Sequence, residues 1–326
     1  MGQSRAADVP ADRWRPGRRD VLLTLALAGA GVVAGRFLRS ERRASRTLAS
    51  RSRPMMGTIV EIRVPASGAT IDEQAVNAAF EEILRVERVF SPHKPGGGPA
   101  SEAERQEVDR VLALGQRLHG ESDGALDLRV RDWVDLWGWE AEPRRPTPQQ
   151  LEAVKADRVS RRATAALGEY AFGAVAKGYA VDRALVVLKN HGVTHALVNA
   201  GGEVSVLGDD WAVGVQHPRD PGMLLDNVRL DEGQALATSG DYENYFIADD
   251  RRWHHLLTPD TGMPAMSCRS VSVRAPSCAE ADVWATALFV MGPAAALAAV
   301  ARHPELQVLI VDADGAITRS AGWASL

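Results

Sequence analysis

Hydrophobic and polar residues alternate in different ways along the first half of the chain. Residues 58–64 form a β-branched run that is typical of a strand. Apolar residues then recur every three or four positions over 75–89 and again over 108–118, which predicts two amphipathic helices. A stretch rich in Gly and Pro, residues 94–99, separates these helices and predicts a loop. A second surface loop is predicted at 143–148, with a short helix after it.

The second half of the chain has a different pattern, with many short apolar runs. A helix is predicted over 177–189, and two further helices over 279–291 and 294–301. The predicted strands are 195–199, 204–207, 211–216, 228–230, 235–238, 245–247, 253–257, 270–274 and 307–311. Because the strands follow one another like hairpins while the helices are set apart, we predict an α+β fold with mixed or antiparallel sheets and flanking helices.

The first 35 residues have the pattern of an export signal. Arg18 and Arg19 stand directly before an apolar run over 21–35, and an adjacent arginine pair indicates the twin-arginine route. This run is shorter than the roughly 20 residues that span a bilayer; the alternative to a cleaved signal is an N-terminal anchor. We expect a periplasmic protein, or one at the outer face of the cytoplasmic membrane. Residues 36–53 read as a basic linker and 54–326 as the folded domain.

Charge and cysteine content narrow the function classes. The chain has 326 residues and a net charge of −4, but residues 1–53 contain twelve Arg, no Lys and four acidic residues; this segment is therefore +8 and the remainder −12. So acidic a domain is a poor candidate for binding nucleic acid, which needs clustered cations. The two cysteines, Cys268 and Cys278, are too few for a disulfide framework. A single disulfide and two buried thiols both remain open.

The predicted helix 279–291 carries a candidate metal site. Ser277 and Glu280 match a capping box, so the helix begins there. Asp282 and Thr286 are four residues apart and share one helix face. A carboxylate and a hydroxyl near a helix N-terminus suit a hard cation that shares its other positions with water and phosphate oxygens. The alternative is a solvated Asp with a Thr that bonds back to the helix.

The segment 173–182 is the second candidate. Its small residues allow the backbone to approach a ligand closely, and Lys177 at the helix start is placed to meet a phosphate. It is not a P-loop, because the required spacing of Gly and Lys is absent. The alternative is tight helix packing with an exposed lysine.

The third candidate is a histidine pair, His254 and His255, which precedes a turn at 258–262. Adjacent strand residues point to opposite faces, so only one of the two can face a given pocket. Histidine suits the role of general base because its usual pKa lies near neutrality. No zinc-type histidine spacing is present, and a purely structural histidine is the alternative.

Taken in order, seven segments resemble the ApbE family, the FAD:protein FMN transferases. The segments are Met56-Gly57-Thr58, 124–127, 173–182, 199–203, 238–242, 255–262 and 281–292. The resemblance implies an α+β architecture related to the T-fold. It also implies Mg²⁺-dependent transfer of FMN from FAD to a Thr or Ser hydroxyl of a partner protein, expected to be a membrane redox subunit, with release of AMP.

The resemblance also implies roles for individual residues. His255 matches the residue that takes the hydroxyl proton. The metal ligands implied are the carbonyl of Ala174 and the side chains of Asp282 and Thr286. The FAD contacts implied are Met56, Ala125, Leu126, Asp127, Lys177 and Leu256.

Two positions depart from the family pattern. Ala171 stands where an acidic residue is usual, and His93 stands where an aromatic residue stacks on flavin. Two other functions therefore stay open. One is Mg²⁺-dependent hydrolysis of FAD to FMN and AMP, and the other is flavin binding without turnover.

Overall fold

The computed structural model describes residues 48–65, 72–160 and 166–326, and these contain both helices and strands. The strands are β1 (Leu48–Met55), β2 (Thr58–Pro65), β3 (Ala196–Ala200), β4 (Val204–Leu207), β5 (Trp211–Gln216), β6 (Leu224–Leu230), β7 (Ala235–Gly240), β8 (Tyr245–Ala248), β9 (Arg251–His254), β10 (Cys268–Ala275), β11 (Gln307–Asp312) and β12 (Ile317–Arg319). The helices are α1 (Glu73–Val89), α2 (Glu102–Glu121), α3 (Arg131–Trp137), α4 (Pro148–Ser160), α5 (Ala176–Asn190), α6 (Cys278–Met291) and α7 (Pro293–Val300).

One large sheet organises the fold. Its eight strands lie in the order β1-β2-β3-β4-β7-β10-β11-β12, and β5–β6 and β8–β9 form two separate hairpins. Neighbouring strands of the large sheet run antiparallel throughout. The prediction of an α+β fold with antiparallel sheets and flanking helices is confirmed.

Both faces of the large sheet are covered, and by different layers. The helices cover one face, where Val198 and Ile310 join the core that includes α1, α5 and α6. The β5–β6 hairpin covers the other face, where it packs on Leu197 and Leu309 from the same two strands. A strand buried on both faces has a nearly continuous apolar sequence, as residues 308–311 of β11 show.

A smaller tryptophan-rich core lies beside the β8–β9 hairpin and contains Trp133, Trp137, Trp253 and Leu257. Trp133 Nε1 donates a hydrogen bond to the carbonyl of Pro259 at 2.9 Å, and Trp137 Nε1 donates to that of Gly262 at 2.7 Å. Helix α3 therefore fixes the turn that follows the histidine pair.

The helix starts follow local capping rules. The Asp72 side chain accepts from the backbone N–H of Ala75 at 2.9 Å, and Ser101 accepts from that of Glu104 at 3.2 Å. Ser277 accepts from the N–H of Glu280 at 3.3 Å, which confirms the predicted helix start, and its hydroxyl donates to the Glu280 carboxylate at 3.3 Å. In the part of the chain that the structure describes, no helix is both long and apolar enough to cross a membrane.

The structure differs from the sequence predictions at several places. Residues 48–53 belong to β1 and not to a linker, so the folded domain begins before residue 54. This strand lies at the sheet edge and is mostly exposed, so it carries no hydrophobic alternation that a pattern could report. The remaining predictions for the signal and linker fall on residues 1–47, outside the described residues.

The strand predicted over 253–257 already ends at His254. Cys268 and Cys278 are buried free thiols.

Candidate active site

Helices α5 and α6 approach each other closely at Gly178. A Cβ atom at this position would lie 2.3 Å from the carbonyl oxygen of Cys278 and 2.8 Å from Cβ of Asp282. The backbone N–H of Gly178 instead donates a hydrogen bond to Oδ2 of Asp282 at 2.9 Å. Glycine thus permits a contact that fixes one oxygen of the predicted metal ligand.

We expect Gly178→Ala to destabilise the fold by about 1–3 kcal/mol, because the added methyl overpacks a backbone contact. Gly120→Ala is the matched control, since Gly120 also lies in a helix but has open space around its Cβ position. That substitution should stabilise by about 0.5–1 kcal/mol through helix propensity. Urea unfolding of both variants checks the opposite signs; a neutral Gly178→Ala would contradict the close packing.

Asp182 holds the start of α6 from the neighbouring helix. Its two carboxylate oxygens accept from the backbone N–H groups of Cys278 and Ala279, each at 2.9 Å. Burial raises the pKa of Asp182 to about 6, against the lowering effect of these two hydrogen bonds. A carboxylate at a helix N-terminus satisfies donors that the helix itself cannot use. Asp182 therefore orients the segment that carries Asp282.

Asp282 and Thr286 share one face of α6, as their spacing predicted. The Asp282 side chain is only 4% exposed, and the Thr286 hydroxyl lies 3.3 Å from that of Ser239 at the end of β7. Ala174 ends a short 3₁₀ turn, Phe172–Ala174, which packs against α6. Asp282 and Thr286 thus lie on one helix, and the turn that carries Ala174 packs against the same helix; their role as metal ligands stays a prediction.

Lys177 links Asp282 to a second buried acid, Glu203. Lys177 Nζ lies 2.5 Å from Glu203 Oε1 and 3.8 Å from Asp282 Oδ1. The Glu203 side chain is 3% exposed, and its other oxygen, Oε2, is buried without a hydrogen-bond partner among the described residues. The turn at 199–203 is one of the segments that resemble the ApbE family, but no role for Glu203 follows from the sequence.

This site buries two carboxyl groups beside one lysine. Burial raises the pKa of Glu203 to about 8, and the charge of Asp282 adds to the rise. Burial also raises the pKa of Asp282, although Lys177 opposes the shift. Burial alone lowers the pKa of Lys177, but the charges of Asp282 and Glu203 outweigh it and the net shift is upward. A divalent cation would stabilise both carboxylates in their charged form.

The donor set fits Mg²⁺. Carboxylate, hydroxyl and carbonyl oxygens are the ligands that this hard cation prefers, together with water and substrate phosphates. No cluster of three or more His, Cys, Asp or Glu side chains with metal-binding geometry occurs in the described ranges. A Mg²⁺ site at Asp282 therefore depends on the Thr286 hydroxyl and the Ala174 carbonyl as well.

His255 lies directly after β9, close enough to Lys177 for the charge of that lysine to affect it. Its backbone N–H donates to the carbonyl of Asn244 at 3.1 Å, and its Nδ1 lies 3.3 Å from the same oxygen. A carbonyl only accepts, so Nδ1 carries the proton and Nε2 is left as a proton acceptor. Burial lowers the pKa of His255 to about 3, with further lowering by His254 and Lys177. The imidazole is neutral at physiological pH.

His254 is the structural member of the pair. It is 1% exposed, its Nδ1 accepts from the N–H of Leu256 at 3.3 Å, and its ring packs edge-on against Phe289 of α6. Burial lowers the pKa of His254 to about 4. The two histidines therefore have different surroundings, as strand geometry predicted.

The residues implied as FAD contacts lie on several elements. Met56 occupies the β1–β2 turn with a positive φ of 53°, and its N–H donates to Glu87 at 3.0 Å. Leu256 is buried directly after His255 and accepts from the N–H of Ala265 at 2.9 Å. The Ala125–Asp127 stretch follows α2; Leu126 is buried, and Asp127 pairs with Arg129 at 3.1 Å and with Arg158 at 3.5 Å. Their role as FAD contacts stays a prediction.

The two departures from the family pattern have their own partners. His93 Nε2 lies 2.5 Å from Glu140 Oε2 and lines a cavity of about 300 Å³ together with Arg131 and Arg144. The N–H of Ala171 donates to the carbonyl of Leu128 at 2.7 Å. His93 and Ala171 thus each make a contact with another segment of the fold.

Known proteins resemble this chain in sequence and in fold. The ApbE family model matches residues 56–310. The FAD:protein FMN transferase of Escherichia coli strain K12 is 31% identical over 239 residues, 67% of each chain. That of Vibrio cholerae is 32% identical over 288 residues, 80% of this chain and 86% of its own length.

Two solved structures resemble this chain in fold. The ApbE protein of Thermotoga maritima has a TM-score of 0.73 at 29% identity, covering 84% of this chain and 97% of its own. The flavin transferase ApbE of Vibrio cholerae has a TM-score of 0.68 at 25% identity, covering 85% and 98%. By fold, the molecule is of the same α+β class as these two solved structures. The chain belongs to the ApbE family.

Proposed function

We propose that this protein is an Mg²⁺-dependent FAD:protein FMN transferase that attaches FMN to a Thr or Ser hydroxyl of a partner protein and releases AMP. Transfer of FMN from FAD to a protein follows from the family and its named relatives. The cation, the kind of acceptor hydroxyl and the residue roles are the proposed part. The observation that carries the cation and the residue roles is the cluster of Lys177 of α5 with two buried carboxyl groups, Asp282 of α6 and Glu203.

The reaction balances as a displacement at phosphorus. The acceptor oxygen forms a bond to the phosphorus of FMN, the bond from that phosphorus to the bridging oxygen breaks, and AMP leaves with that oxygen. When bound, Mg²⁺ supplies electrophilic activation of the pyrophosphate and neutralises charge on the leaving group. Asp282, Thr286 and the Ala174 carbonyl would hold the cation, and Lys177 provides a second positive charge for phosphate oxygens.

His255 is the group that takes the hydroxyl proton. The contact of its Nδ1 with the Asn244 carbonyl leaves Nε2 unprotonated, and its lowered pKa keeps it so at neutral pH. The nearby edge of Trp139, with ring centroids 6.4 Å apart, restricts the orientation of the imidazole. Proton acceptance by a positioned imidazole is the usual form of general base catalysis.

One assay separates transfer from the two other functions. The purified protein is incubated with FAD, Mg²⁺ and a candidate acceptor subunit that carries an exposed Thr or Ser. In-gel flavin fluorescence of the acceptor supports transfer. Free FMN and AMP without acceptor fluorescence would show hydrolysis, and FAD that stays bound and intact would show a binding protein; either result contradicts the proposal.

We further propose that the protein is exported by the twin-arginine route and that its acceptor is a membrane redox subunit. The support for the route is Arg18-Arg19 directly before the apolar run 21–35, and the acceptor is the one that the family resemblance implies. We expect Arg18→Lys combined with Arg19→Lys to leave the protein in the cytoplasm, while Arg42→Lys combined with Arg43→Lys does not. Cell fractionation measures the difference, and mass spectrometry of the exported form tells a cleaved signal from an anchor. Export of the first variant at the normal level would contradict the route.

A further inference from the structure

Glu203 stands in the active site without an assigned role, although its surroundings fix it firmly. The turn between β3 and β4 is held by a hydrogen bond from the Gly202 N–H to Asn199 Oδ1 at 3.0 Å and by another from the Ala200 N–H to the Glu203 carbonyl at 2.9 Å. Gly201 has a φ of +79°, and a Cβ there would lie 2.3 Å from the Thr58 hydroxyl oxygen. The backbone that presents Glu203 therefore has little freedom.

The carboxylate of Glu203 competes with Asp282 for one ammonium group. Lys177 Nζ is within hydrogen-bond distance of Glu203 Oε1, at 2.5 Å, but stands 3.8 Å from Asp282 Oδ1. The two carboxylate oxygens can be no farther apart than the sum of those distances. Because the lysine stem is flexible and the glutamate is rigidly presented, Glu203 decides on which side the ammonium rests.

The position of this ammonium matters for the oxygens of Asp282. Oδ2 already accepts from the Gly178 N–H at 2.9 Å, which leaves Oδ1 as the oxygen nearest to Lys177. A direct bond from Lys177 to Oδ1 would occupy that atom and cancel the charge that attracts a cation. The Lys177 side chain is 26% exposed, and a partly buried ammonium that loses one partner moves towards the nearest other acceptor, since leaving it unpaired is costly.

We propose that Glu203 is a positioning residue of the cation site, which holds the Lys177 ammonium away from Asp282 and thereby keeps that carboxylate available to a divalent cation. The inference rests on the proposed Mg²⁺ site but adds a residue and a mechanism to it. Glu203 is not itself a ligand in this account. Lys177 satisfies its Oε1, whereas its Oε2 is buried without a hydrogen-bond partner among the described residues.

The test measures Mn²⁺ binding to the full-length protein without FAD, from the electron paramagnetic resonance signal of the free ion. Glu203→Gln should weaken Mn²⁺ binding by about tenfold or more, the usual effect of losing a residue that orients a ligand. Lys177→Met should bind Mn²⁺ at least as tightly as the wild type, because the competing ammonium is gone. Lys177→Met combined with Glu203→Gln should restore binding to within about threefold of Lys177→Met alone.

Recovery of Mn²⁺ binding in the double variant distinguishes the proposed role from two others. If Glu203 were merely structural, or were itself a ligand, the double variant would bind Mn²⁺ as weakly as Glu203→Gln. A double variant that binds Mn²⁺ as weakly as Glu203→Gln would overturn the inference, and so would Glu203→Gln with wild-type affinity. If Glu203→Gln does not fold, weaker binding in Lys177→Met than in the wild type overturns it equally. Asp282→Asn in the same titration distinguishes failure of the Glu203 inference from failure of the proposed metal site. Undiminished Mn²⁺ binding in Asp282→Asn would contradict the metal site itself.

Discussion

Asp282→Ala is expected to abolish both transfer of FMN and hydrolysis of FAD, with kcat/KM lower by about a thousandfold or more. The reason is that Asp282 is the only carboxylate among the three implied metal ligands, and losing metal activation of a phosphoryl group costs several kcal/mol in the transition state, about 1.4 kcal/mol for each tenfold. Release of AMP and FMN, followed by chromatography across a Mg²⁺ titration, measures both reactions.

Asp282→Asn refines this experiment. Alanine leaves the Gly178 N–H without its acceptor, whereas asparagine still offers an oxygen at that place. Burial raises the pKa of Asp282, so its charge opposes folding. Asp282→Asn should therefore lose activity without a lower melting temperature. Asp314→Ala, at an exposed turn, is the matched control and should keep full activity. Full Mg²⁺-dependent activity in Asp282→Ala would show that the metal lies elsewhere.

The helices and most strands of this fold could be predicted because their hydrophobic patterns report burial directly. Helix α1 keeps its apolar side on the core over its whole length, and β11 is buried on both faces. The edge strand β1 has no such pattern, since five of its eight residues are exposed. Helix α3 was missed because its seven residues are too few for periodicity to emerge.

In the candidate site, features within one helix could be predicted from the sequence, whereas contacts between distant segments could not. The shared helix face of Asp282 and Thr286 and the capping box at Ser277 depend on spacing within one helix, so both could be predicted. Asp182 and Glu203 could not. Asp182 bonds to backbone groups 96 and 97 residues later, and Glu203 meets a lysine 26 residues earlier. These contacts exist only after α5, α6 and the β3–β4 turn have packed together.

The histidine pair shows what local geometry alone cannot predict. Alternation along a strand states that the two side chains differ in direction but not which of them enters the core. Packing decides this, because His254 lies against Phe289 while His255 is held by the Asn244 carbonyl. The family resemblance implies the proton-accepting role for His255, and this role stays a prediction.

His255→Ala is expected to lower the rate of FMN transfer by about 10²- to 10⁴-fold, the range that general base catalysis contributes. FAD binding should be preserved, because the proposed contacts to phosphate and metal come from Lys177 and Asp282. Equilibrium binding of FAD, followed by flavin fluorescence, and the transfer rate from acceptor fluorescence measure the two effects separately. His191→Ala is the matched control, since that histidine is exposed at the end of α5. Equal loss of FAD affinity and transfer rate would assign His255 to binding instead.

The pH dependence of the reaction tests whether His255 is unprotonated in the free enzyme. The pKa of His255 is lowered from its usual 6.5 to about 3, so the free enzyme keeps the base unprotonated at every pH above about 4. The kcat/KM for FAD, which reports groups of the free enzyme, should therefore show no inflection near pH 6.5 that depends on His255. Bound FAD adds the negative charge of its pyrophosphate, which favours imidazolium. The acid limb of kcat should then lie at higher pH than that of kcat/KM. An inflection near 6.5 in kcat/KM that disappears in His255→Ala would mean that the imidazole is solvated like an ordinary surface histidine, and its neutral state could no longer be attributed to burial beside Lys177.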